Sequence, residues 1–81
     1  MKQLTQAVFN GAPDWVKSAA INADGDTWFH SVPKNKLNIW LTRDESAEWK
    51  CVGVTGVQVY YIGQHDATDW QNSAIDREVS A

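Results

Sequence analysis

Leu4, Ala7 and Val8 fall at i, i+3 and i+4, and Asn10-Gly11 comes next as a stop, so residues 3–10 are expected to form a short amphipathic helix. Two turns of helix are marginal alone in water, so the Leu4/Val8 face must dock on another element. Pro13 then interrupts the chain, with Asp14 placed to cap or start the next segment. From Lys17 the pattern becomes extended. Residues 18–23 and 27–32 flank Asp24-Gly25, and Asp-Gly between two β-forming runs predicts a hairpin with a type I′ turn, where glycine accepts φ > 0. Pro33 ends the second run and Lys34-Asn35-Lys36 reads as a solvated turn.

Leu37, Ile39 and Leu41 alternate with Asn38, Trp40 and Thr42, the period of two of a third strand with Leu37, Ile39 and Leu41 inward and Trp40 outward. Arg43 to Ser46 is a charged loop. Residues 49–54 and 57–62 are rich in β-formers, and Thr55-Gly56 between them predicts a second hairpin. Val57, Val59 and Tyr61 point one way and Gln58, Tyr60 and Ile62 the other, so the last strand is apolar on both faces and is expected to be central or covered. Gly63 breaks it. Thr68-Asp69-Trp70-Gln71 has the spacing of a capping box and predicts a short C-terminal helix from Asp69 to Arg77. The expected fold is a small single α+β domain over residues 1–81. It has an antiparallel sheet of four or five strands with a short N-terminal helix and a short C-terminal helix, the terminal helices covering the second sheet face.

The composition, 43% hydrophobic and 21% charged, belongs to an ordinary globular chain, and 81 residues leave a thin stability margin. Cys51 is the only cysteine, which excludes an internal disulfide, so packing must supply the stability, with homo-oligomerisation as a possible aid. Apolar runs fall far short of the ~20 residues of a membrane span. The start of the chain carries one lysine and no apolar core, which predicts no secretory signal and a cytoplasmic protein. Residues 1–40 hold four lysines against three aspartates, whereas residues 41–81 hold three basic against seven acidic side chains. An acidic second half repels phosphate backbones and disfavours nucleic acid as a partner.

No catalytic or metal motif is spelled out. Aligning Gly25 to the glycine of a calcium loop puts Ala20 first and Ser31 twelfth, so the required ligands are missing and the turn reading wins. His30, His65 and Cys51 lack metal-ligand spacing, and Cys51 reads as a small buried hydrophobe. Glu45, Glu48, Asp66 and Asp69 read as a solvated acidic rim without the apolar neighbours that separate carboxylate pKa values.

Tryptophan is the remaining signal. Five of them, Trp15, Trp28, Trp40, Trp49 and Trp70, exceed what so small a core usually holds, so some are expected to face water or a partner. Trp15, Trp40 and Trp70, with the acidic Asp44, Glu45 and Glu48, are the expected contact surface of a binding protein without catalysis or cofactor. The alternative is an oligomeric binder of a nucleotide-like ligand held between aromatic rings, with His30, Lys34 and Lys36 meeting a phosphate.

Two stretches carry a resemblance. Pro13-Asp14-Trp15 with Ala19-Ala20, Asp24-Gly25 and Trp28 after it, and then Asp69-Trp70-Gln71-Asn72-Ser73-Ala74-Ile75-Asp76-Arg77, resemble a broad group of short tailed-phage and prophage proteins. That group has a P-[DE]-W…A…DG…W/Y start and a W-x-x-S-L-x-x-R finish. Ala74 departs from it where leucine is usual. The resemblance implies a phage or prophage accessory protein in the bacterial cytoplasm and no catalytic residues; the want of residues for chemistry points to one that binds and modulates a host or phage protein or other macromolecule.

Overall fold

The computed structural model describes residues 4–41, 47–53 and 56–78. Six strands run in the order β1 (Ser18–Ile21), β2 (Asp26–His30), β3 (Leu37–Leu41), β4 (Ala47–Cys51), β5 (Val59–Gln64) and β6 (Ile75–Asp76). They form two antiparallel sheets, one ordered β5-β2-β1-β6 and the other pairing β3 with β4. The helical content of this α+β fold is confined, among the described residues, to 3-10 turns at Gln6–Phe9, Lys34–Lys36 and Trp70–Asn72.

Small residues make β1 the centre. All four of its residues are buried, with Ala19 facing one apolar layer and Ala20 the other. Phe9, Val16 and Phe29 join Ala19 on the first face, with the Phe9 and Phe29 rings stacked at 5.7 Å. Leu4, Val8, Ala12 and Trp15 pack over them, so the N-terminal segment covers this face. Val32 and Leu37 join Ala20 on the second, with Trp49 and Cys51 brought in by the β3–β4 pair. A larger side chain at either alanine would push one layer off the sheet.

The Asp-Gly hairpin forms, but with a three-residue loop. Asn22 N–H donates to the Asp26 carbonyl at 2.8 Å and Gly25 N–H to the Asn22 carbonyl at 2.9 Å. Gly25 sits at φ +92, the left-handed position that closes such loops. β3 spans Leu37–Leu41 with Trp40 outward, as expected, but the inward face expected over Leu37, Ile39 and Leu41 holds only in part. Leu37 is buried, Ile39 half-buried and Leu41 exposed, so the inward face fades toward the loop end.

Four expectations are corrected. Residues 49–54 and 57–62 do not form a hairpin with each other: β4 pairs with β3, and β5 pairs with β2. The β3–β4 register sets Leu37 opposite Cys51, Ile39 opposite Trp49 and Leu41 opposite Ala47, which gathers the apolar side chains on one face. Thr55 itself lies outside the described residues. Second, β5 is an edge strand, with Val59, Tyr60 and Tyr61 exposed. Third, the C-terminal segment makes one 3-10 turn, Trp70–Asn72, and then enters the sheet as β6. The Thr68 side chain turns back to Asp66, Oγ1 donating to Oδ1 at 2.6 Å, so the capping box is not made. Ser73 and Arg77 instead bond to β1 and its approach: Ile21 N–H donates to Ser73 Oγ at 2.8 Å and Arg77 N–H to the Lys17 carbonyl at 2.8 Å. The N-terminal helix likewise shortens to the single turn Gln6–Phe9.

Candidate functional site

The β3–β4 pair covers the second face of the four-stranded sheet only in part. At the β2/β5 side a cleft of about 480 Å³ remains between the sheets. Asn22, Trp28, His30 and Val59 line one wall, and Glu48, Trp49, Lys50 and Cys51 line the other, with Val57 between. Alternation places Trp28 and His30 on the same side of β2, opposite Tyr61 and Val59 of β5. The Trp28 and Tyr61 rings lie 5.3 Å apart and tilted by 60°.

Trp49 is fixed at both ends. Its backbone N–H donates to Asn22 Oδ1 at 2.9 Å, and its indole N–H donates to the Trp70 carbonyl at 3.2 Å. Two aromatic walls held this way suit a flat, largely apolar group.

Charge in the cleft is sparse. His30 is 3% exposed, and burial pulls its imidazole pKa down to about 4, so it is neutral at pH 7. Its Nδ1 is buried without a hydrogen-bond partner among the described residues. Burial also pushes the Cys51 thiol pKa up. A neutral imidazole and a protonated thiol run against the thiolate–imidazolium pair that a cysteine nucleophile needs. Lys50 is the cation on this rim, 3.1 Å from Glu48 in an exposed pair of little energetic weight.

The expected contact residues are dispersed. Trp40 is half-exposed and stands opposite Glu48 in the β3–β4 register, so these two are brought together. Trp15 packs on the Phe9/Phe29 layer. Trp70 is half-buried in its 3-10 turn, its carbonyl occupied by Trp49. Asp44 and Glu45 lie outside the described residues. The phosphate group of residues proposed for the ligand alternative does not assemble: His30 is buried and uncharged, while Lys34 and Lys36 are exposed on a separate turn away from the cleft lining.

The cleft residues missed from the sequence are Asn22, Trp28, Trp49 and Cys51. The i, i+2 spacing of Trp28 and His30 on one strand carried a usable signal for the first wall. Trp49 and Cys51 carried none, because their inward placement depends on pairing with β3.

The residues that carry the phage-protein resemblance act structurally here. Arg77 Nη1 donates to the Pro13 carbonyl at 2.7 Å and the Val16 carbonyl at 3.4 Å, and Nη2 to the Ala12 carbonyl at 3.4 Å. Ser73 Oγ both accepts from Ile21 N–H and donates to the Ile21 carbonyl at 3.2 Å, standing in for a strand residue beside β1. None of the described helices is long and apolar enough to cross a membrane. Comparison with protein-family models, with curated proteins and with solved structures returns no match.

Proposed function

We propose that this chain is a phage or prophage accessory protein of the bacterial cytoplasm that acts by binding a host or phage protein, without catalysis. The observation that carries the reading is Trp40, 50% exposed on the outer face of the β3–β4 pair with Glu48 opposite it on the neighbouring strand. A large ring held on a rigid strand anchors a partner at low entropic cost, and the neighbouring carboxylate favours a basic rim on that partner. The opposed pKa directions of Cys51 and His30 favour binding over chemistry.

The test is capture of a defined partner from host lysate by wild type and by Trp40→Ala, with cross-linking to place the contact. The expected result is one partner, cross-linked near β3, lost in Trp40→Ala while the melting temperature stays close to that of wild type. Unchanged capture by Trp40→Ala overturns the assignment of this surface.

The 480 Å³ cleft between Trp28 and Trp49 favours a second reading, a small aromatic ligand held between the sheets. Such a ligand quenches tryptophan fluorescence as the site fills and raises the melting temperature further with the logarithm of its concentration above Kd. Nucleosides are a suitable first series, because a neutral His30 supplies no charge for a phosphate.

A further inference from the structure

Sheet edges show unpaired backbone, and this chain covers most of its own. On β6, Gln6 reaches across 70 positions of sequence: its Nε2 donates to the Asp76 carbonyl at 2.7 Å, and Glu78 N–H donates to its Oε1 at 3.0 Å. On β4, Ala23 N–H donates to the Ala47 carbonyl at 3.1 Å and Asn22 Oδ1 accepts from Trp49 N–H. On β3, Asn38 Oδ1 accepts the outward N–H of Ile39, the strand's middle residue, at 2.9 Å. Each of these devices blocks the pairing of a further strand.

β5 has no such cover among the described residues. Ser31 N–H donates to the Gln58 carbonyl at 3.0 Å, and antiparallel pairs alternate, so Tyr60 turns its backbone toward β2 while Val59 and Tyr61 turn theirs away. No described group meets those outward N–H and C=O groups. The strand Val59–Gln64 contains no proline and no charged side chain, and Tyr60 is 60% exposed.

We infer that β5 pairs antiparallel with β5 of a second copy of this chain. Centring the two-fold axis on Tyr60 sets Val59 opposite Tyr61 of the partner and Tyr61 opposite Val59. Both are outward-facing positions, so the pair forms four backbone hydrogen bonds and joins two four-stranded sheets into one of eight. The register is self-complementary, and it sets no charge against a like charge in a chain of net charge −3. The contact is narrow, well under the ~1,000 Å² of a stable interface, so the dimer is reversible and concentration-dependent. It does not rest on the Trp40 surface.

Sedimentation analysis across about 10 μM to 1 mM tests this, the range in which weak dimers dissociate. Wild type is expected to rise toward twice the monomer mass. Val59→Pro deletes an outward N–H at the first position of β5, where proline leaves the β2 ladder intact, and is expected to stay monomeric. Tyr60→Lys places two ammonium groups opposite each other and is also expected to stay monomeric, as is Tyr60→Glu. An equimolar mixture of Tyr60→Lys and Tyr60→Glu is expected to recover the dimer mass. Wild type that remains monomeric throughout the range overturns the pairing, as does a dimer that persists in the Tyr60 variants or a mixture that does not recover.

Discussion

The guanidinium of Arg77 donates to the carbonyl of Pro13 at 2.7 Å, joining two residues 64 positions apart. The same side chain reaches the Val16 and Ala12 carbonyls, so one planar fork gathers the turn that carries Trp15 and aims Val16 into the core. These carbonyls belong to a loop with few backbone partners of its own. The two stretches that resemble the phage-protein group thus meet in space, and their shared role is to fasten the N-terminal cover to the last strand.

Truncating that fork leaves the part-buried Ala12 and Val16 carbonyls without this donor, while the Pro13 carbonyl keeps the Val16 N–H. Arg77→Ala is expected to cost about 2 kcal/mol, or a melting temperature lower by roughly 10 °C for a chain of this size. Arg77→Lys restores less than half of this, because a single ammonium cannot reach three carbonyls arranged for a fork. Urea unfolding of both variants measures it, and equal stability of the lysine variant and wild type overturns the fork argument.

Ser73→Ala removes the hydroxyl that occupies both backbone groups of Ile21. The expected loss is about 1–2 kcal/mol, concentrated on one amide. Hydrogen exchange read by NMR is the direct measurement: Ile21 N–H loses protection while the amides between β1 and β2 keep theirs. A uniform loss across the sheet would mean that Ser73 acts on global stability alone.

Gly25→Ala strains the hairpin in two ways. The residue sits at φ +92, and an added Cβ would stand 2.7 Å from Gln64 Oε1 and 3.1 Å from the His65 carbonyl. The side chain of Gln64 can swing away, breaking its hydrogen bond to Asp26, but the backbone carbonyl cannot. The expected cost is about 1–3 kcal/mol in a chemical denaturation curve.

Local signals were legible and distant ones were not. Asp24-Gly25 marks its hairpin because the turn is chosen by adjacent residues, and the Leu37/Ile39/Leu41 alternation marks β3 for the same reason. The partner of β4 is chosen by the fit of Trp49 and Cys51 against Ile39 and Leu37, information spread over two segments. The apolar pattern of β5 reads as a central strand, yet its place in the sheet order makes it an edge. Ser73 and Gln6 serve as ladder partners for strands 52 and 70 positions away, and no spacing rule announces a side chain that substitutes for backbone. Of the expected contact surface, the outward Trp40 was legible from alternation on one strand. The cleft was not, since each wall belongs to a different sheet.

Acid should unfold this protein partly through His30. Its folded pKa is about 4 against an ordinary 6.5, a lowering caused by burial. Between those two values the unfolded chain binds the proton and the folded one does not, so stability falls as pH drops from 6.5 toward 4 and is unaffected by this group above 6.5. The full penalty is on the order of 3 kcal/mol. His30→Phe keeps a ring of similar size in the cleft and removes the titration. The stability difference between wild type and His30→Phe should therefore shift by that amount in favour of the variant from pH 7 to pH 4, measured by urea unfolding at each pH. A difference that does not change with pH would show that the imidazole reaches solvent and titrates alike in both states.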